Sequence, residues 1–280
     1  MPLIVNLSSI HTLHPTSKSV DAFVQLCNKY SGGCFSSCPT LFKSWSNYAW
    51  VMYQYGTHYK QLIQPYKLGT ISTEKFLHDL LQIFSFLRDV VDEQEVMVEL
   101  NGGESYSHEF SLSLLENAWN EIIALDETRA SRFPALVARA QDEPVYLISN
   151  TNELNVLKIL RLLKIQNPDI TFKTPIDLSV QESKEPIEIA PNIFLCLSYR
   201  YQLFKTVTDN RSANLHSTMS LLNHLIKKQL SDVQAYDIRV ISQFASDLEE
   251  AAKLGIPADN ALHADKFFNY TVPTAQRNLH

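Results

Sequence analysis

The first apolar run of the chain, Leu3-Ile4-Val5-Asn6-Leu7, is short and bounded by polar residues, which predicts a buried strand. From Val20 the period changes. Val20, Phe23, Val24 and Cys27 fall at i, i+3, i+4 and i+7, the spacing of one helical face. Phe76, Leu77, Leu80, Leu81, Phe84 and Leu87 repeat that spacing over 74–87, with Ser72 and Thr73 standing where the helix needs an N-cap. Between the two lies an aromatic stretch, Trp45, Tyr48, Trp50, Tyr53, Tyr55 and Tyr59, whose spacing suits a helical core or a binding surface. Asn101-Gly102-Gly103 signals a turn. Residues 111–140 read as one or two helices with Leu112, Leu115, Trp119, Ile122 and Ile123 facing inward.

After residue 140 strands and helices alternate. Pro144 introduces Val145-Tyr146-Leu147-Ile148-Ser149, a strand, and Asn150-Thr151-Asn152 turns the chain into a helix over 153–163. Further strands are predicted at 193–198 and 237–242, with helical residues 215–230 between them. A helix over 247–254 follows, stopped by Gly255. Such strand–turn–helix units build a doubly wound parallel sheet. The expected architecture is an α/β core, residues 1–15 and 112–280, interrupted by a helical cap insertion over 16–111. Residues 166–191, rich in Pro and charge, read as a surface excursion, and the last fifteen or so residues as loosely tethered.

Composition narrows the function classes. Among 280 residues, 45% are hydrophobic and the formal net charge is −6, so the chain can bury a sizeable core and does not look like a nucleic-acid binder. No run reaches the roughly 18–20 apolar residues of a membrane span, and the N-terminus reads as a strand, without the basic region or cleavage site of a signal peptide. The four cysteines are too few for a disulfide framework. Cys196 lies in an apolar run. Cys27, Cys34 and Cys38, with His58, offer four zinc-type donors, but without a CxxC pair the reading is of free thiols in a cytoplasmic protein. His11 and His14 beside Ser8 and Ser9 invite a serine-hydrolase reading, which lacks a nucleophile elbow and a placed acid.

Several segments together resemble the haloacid dehalogenase (HAD) superfamily, in its members with a helical cap after the first strand. They are residues 115–154, with an Ala-Trp-Asn helix and a strand ending in Ser149-Asn150-Thr151; residues 66–81, with a Gly-x-Ile-Ser turn before a Glu-x-Phe helix; and residues 198–205 and 247–256. The resemblance implies an aspartate nucleophile at the end of the first strand and an acid/base two residues later. It also implies a hydroxyl after the second strand, a lysine near the third, and acidic magnesium ligands after the fourth.

Placed on this chain, the resemblance gives Ser149 the hydroxyl's position and Lys205 the lysine's, although Thr206 replaces the proline usual after it. Asn6 stands where the nucleophile belongs, Ser8 where the acid/base belongs, and Ser242 and Gln243 where the metal-binding acids belong. Asp247 is expected to lie a turn farther along and to point elsewhere. The pattern implies a non-enzyme: a pseudoenzyme with no cofactor or metal. Its role would be as an interaction subunit or adaptor binding protein partners in a larger complex, a bacterial secretion-system assembly being one concrete form. Ser149, Asn150 and Lys205 would keep a site for a phosphate or sulfate ion. Two alternatives stand beside it, a divergent phosphatase or hydrolase with another nucleophile, and a sensor of a phosphorylated small molecule.

Overall fold

The computed structural model describes residues 1–13, 17–30, 40–88, 90, 104–124, 127–174, 176, 178, 185–203 and 220–271. The turn at 101–103 and residues His14, Cys34, Cys38, Lys205 and Thr206 lie outside the described residues. Two compact units emerge. One comprises Met1–Thr12, Lys67–Thr70 and Ala124–His280, and the other Leu13–Tyr66 and Ile71–Ile123.

The first unit holds a six-stranded sheet. Its strands are β1 (Leu3–Asn6), β4 (Val145–Ser149), β5 (Ile187–Ala190), β6 (Ile193–Leu197), β7 (Arg239–Ser242) and β8 (Ala261–His263), in the order β5-β6-β4-β1-β7-β8. The short strands β2 (Thr12–Leu13) and β3 (Ile123–Ala124) pair separately, where the chain leaves this unit and returns to it. All neighbours in the large sheet are parallel except β5 and β6. β1 pairs on both edges, Leu3 opposite Val145 and Arg239, and Val5 opposite Leu147 and Ile241. Strands covered on both faces need apolar residues at every position rather than at alternate ones. Leu3, Ile4 and Val5 are accordingly fully buried, as are Val145 and Leu147.

Helices follow the strands closely. Asn152 caps the helix Glu153–Gln166, its Oδ1 accepting from the Asn155 N–H at 3.1 Å. The helix Ala245–Lys253 starts directly beyond β7, two residues earlier than the sequence predicts, and Gly255 ends it at φ +87°.

Two strands of the large sheet escape the sequence reading, as do the short β2 and β3. β5 lies inside the predicted surface excursion and returns to β6 through Pro191-Asn192, with Asn192 at φ 60°. Its side chain donates to the Ala140 carbonyl at 2.8 Å. β8 is a three-residue edge without an apolar run. Of the last fifteen or so residues, expected to be loosely tethered, those up to Thr271 belong instead to the helix Ala264–Thr271, which buries Phe267 and Phe268, and 272–280 lie outside the described residues.

The helical unit is built from Ser17–Tyr30, Thr40–His58, Thr73–Ile83 and Glu104–Asn120. Aromatic contacts organise its core. Phe23 stacks on Phe84 at 4.8 Å, Trp50 meets Phe84 edge-on at 5.4 Å, and Phe76 lies 3.9 Å from Tyr66 and 4.8 Å from Trp119. The aromatic stretch therefore divides: Trp50 packs inward, while Trp45 and Tyr53 are 74% and 67% exposed. Ser72 is the N-cap, accepting from the Lys75 N–H at 3.2 Å. No helix among the described residues is long and apolar enough to cross a membrane.

Gly69 marks a close backbone approach within the sheet-bearing unit. It sits at φ +67°, and a Cβ there would overlap the Tyr199 carbonyl oxygen. Both the dihedral and the space demand glycine. Gly69→Ala is expected to lower the unfolding free energy by about 1–3 kcal/mol, read from urea denaturation; an unchanged midpoint would show that the segment relaxes freely.

Candidate functional site

In a doubly wound sheet the crevice forms beyond the carboxyl ends of the strands, where connections run to opposite sides. Here β1 leads by its crossover to β4 on one side, and β7 lies on the other. Asn6 ends β1, Ser242 ends β7 and Ser149 ends β4, so three sequence-predicted positions share one end of the sheet.

The side chains of Asn6 and Ser242 meet. Asn6 Oδ1 accepts from the Ser8 backbone N–H at 3.1 Å and from Ser8 Oγ at 2.8 Å. A backbone N–H can only donate, so it fixes the carboxamide oxygen and turns Nδ2 the other way. There Nδ2 donates to Asp247 Oδ2 at 2.7 Å and approaches Ser242 Oγ at 3.3 Å. Ser242 Oγ donates to the same Asp247 oxygen at 2.5 Å and accepts from the Phe244 N–H at 3.0 Å. Asn6, Ser8, Ser242 and Asp247 are each at most 2% exposed.

The expectation that Asp247 points elsewhere is therefore corrected. Its helix begins at Ala245, which places residue 247 in the first turn, facing the end of β7. The positive end of the helix dipole also favours a carboxylate there. Gln243 is directed differently, its Oε1 accepting from Arg129 Nη1 at 3.0 Å. The same Arg129 nitrogen reaches the carbonyls of Ser8 and His11 at 3.0 Å each. Sequence reasoning missed Arg129, because no local pattern marks a side chain that binds distant backbone carbonyls.

Ser149 is 7% exposed and Asn150 is exposed. The adjoining loop is held by Ser198, whose Oγ accepts from the Thr151 N–H at 3.1 Å. Ser8 Oγ is committed to Asn6, not to a histidine, so the arrangement does not make a Ser–His pair.

The donor set does not fit the magnesium that the family resemblance implies. That ion takes hard oxygen ligands, and this cluster offers one carboxylate, with the Asn6 Nδ2 donor directed at it. Among the described residues no group of three His, Cys, Asp or Glu side chains could hold a metal ion. Cys27, the described cysteine of the zinc-type set, is a buried thiol outside any disulfide that burial pushes up to about 12, against a smaller lowering by a backbone hydrogen bond.

Two outcomes follow from this geometry. Asp247→Ala strips a buried amide and a buried hydroxyl of their acceptor, so a loss of about 1–3 kcal/mol is expected on guanidinium denaturation; full stability would mean the network relaxes around the gap. A raised thiol pKa keeps Cys27 protonated and unreactive in the folded chain, and the stability this contributes is lost as pH rises from the ordinary thiol value of about 8.5 towards about 12. At pH 8, mass spectrometry after iodoacetamide treatment should find Cys27 protected until denaturant is added, and rapid native labelling would contradict the assignment.

No family model matches the chain, and no curated protein matches it in sequence. Solved structures do match. A HAD-family enzyme from Bacteroides thetaiotaomicron has a TM-score of 0.52 at 12% identity, over 91% of this chain and 90% of that one. The same enzyme in complex with magnesium and inorganic phosphate gives 0.51 at 11%, with the same coverage. The expectation of a non-enzyme is corrected on this finding: the solved chains that share this architecture are described as enzymes, and the carboxylate expected to point away lies in the cluster. At such identity the likeness concerns architecture alone. The mostly parallel six-stranded sheet and the match over nine-tenths of both chains give this protein the fold of the haloacid dehalogenase superfamily.

Proposed function

We propose that the chain is a divergent hydrolase of this fold acting on phosphate monoesters, with Ser242 and Asp247 as its reacting pair. The observation that carries the reading is the buried 2.5 Å hydrogen bond from Ser242 Oγ to Asp247 Oδ2. An activated hydroxyl needs a base within hydrogen-bond reach, and the base needs a third group to orient it. Asn6 Nδ2, at 2.7 Å, is that group. In the proposed reaction Ser242 Oγ bonds to phosphorus while its proton passes to Asp247. The bond from phosphorus to the ester oxygen breaks, and that oxygen takes a proton from solvent. Water then hydrolyses the phosphoserine.

The phosphate half of the reading rests on the end of β4. Ser149 makes no side-chain hydrogen bond to another described residue, and Asn150 follows it. The helix Glu153–Gln166 begins just beyond, where its dipole favours an anion. A Bacteroides enzyme of this fold has been solved in complex with inorganic phosphate, which is consistent with a chain of this fold taking such an ion. Lys205 is the cation the sequence offers to complete the set.

Turnover of 4-nitrophenyl phosphate tests the proposal. Asp247→Asn is expected to lower kcat by about 100-fold or more, and Ser149→Ala to raise KM by about tenfold. Acid-quenched protein should carry phosphoserine at residue 242 and lose it in Ser242→Ala. Activity surviving Ser242→Ala would refute the reacting pair; a chain inert toward every phosphate ester offered would refute the hydrolase reading itself.

A further inference from the structure

The other end of the same sheet carries opposite charge. Arg239 opens β7 and Ser242 closes it, so roughly 10 Å of strand separates the two ends. Beside Arg239, against β8 and the helix Ala264–Thr271, lies an open hollow of about 260 Å³. Arg139, Arg239 and Lys266 line it, Leu262 and Phe267 supply an apolar wall, and Asp259 is the one acid among its lining residues.

The balance of charge is unusual for a chain with a formal net charge of −6. Three cations converge on one small hollow against Asp259 in the lining and Glu143 behind Arg139, which leaves a surplus of positive charge for an anion to offset. Arg139 is held at the rim, its guanidinium 5.7 Å from the centre of the Phe267 ring. It meets Glu143 only at 3.6 Å and stays 38% exposed. Arg239 and Lys266 form no ion pair with any described residue, which leaves their charges available.

We propose that this hollow is a binding site for a small organic polyanion, an organic phosphate or a polycarboxylate. The two guanidinium forks suit planar, two-point recognition of oxyanions, and Lys266 adds a mobile point charge. Leu262 and Phe267 receive the carbon skeleton of the ligand. The volume lies just under the about 300–1,000 Å³ usual for small-molecule pockets, so the ligand is compact. The site is independent of the Ser242–Asp247 pair and stands or falls without it.

Calorimetric titration of the full chain with pyrophosphate and, separately, with citrate tests the site and tells phosphate from carboxylate. At least one is expected to bind one-to-one, with an affinity that falls as salt is raised. The double variant Arg239→Gln/Lys266→Gln should weaken binding by at least about tenfold, and the single charge reversal of exposed Lys266, Lys266→Glu, should weaken it at an unchanged melting temperature. Ser149→Ala should leave it intact. Absence of binding by both anions, affinity that survives the substitutions, or a loss equal to theirs in Ser149→Ala would each overturn the proposal.

Discussion

A strand buried on both faces and paired on both edges must still satisfy the polar groups where it ends, and β1 does so through one carboxamide. Asn6 accepts from Ser8 on one side and donates to Asp247 on the other, linking the turn after β1 to the helix after β7. A carboxylate at residue 6 would face Asp247 as a like charge; an apolar residue would take the acceptor from the Ser8 N–H and hydroxyl and one donor from Asp247. Arg129 fastens the same turn from outside, through the carbonyls of Ser8 and His11. The crevice at this end of the sheet thus depends on an amide whose orientation a single backbone N–H dictates.

The central strands were legible because double burial writes itself as unbroken apolar runs, seen at Leu3–Val5, Val145–Ile148 and Ile193–Leu197. The edges were not. β5 reads Ile-Glu-Ile-Ala within a polar surrounding, and only Pro191-Asn192, a turn pair between two apolar stretches, could have announced it. β8, half-buried and three residues long, carries no signal. The candidate site was legible in its strand ends but not in its direction. Each helical residue turns the side chain by about 100°, so a start two positions earlier swings Asp247 from one face to another. A hydrogen bond between residues 6 and 247 is a tertiary fact, with no counterpart in local pattern.

Separating charge between the two ends of the sheet has a physical logic. A buried carboxylate is tolerable where a helix start and two hydrogen-bond donors surround it, as at Asp247. Cations need no such enclosure and suit an open rim, as at Arg139, Arg239 and Lys266.

The reversal of β5 against its neighbour has a consequence for how copies of the chain meet. An exposed parallel edge is a template onto which a second molecule can add a strand. Here the outermost strand runs antiparallel, is four residues long, and accepts at Ile189 from the Lys173 N–H at 2.8 Å. Lys173 and Glu188 place an ion pair on it, and the lysine's hydrogen bond, with a second from the Asn192 N–H, holds the Glu188 carboxyl below the usual carboxylate range. Charge and a preoccupied backbone make that border a poor seed for aggregation.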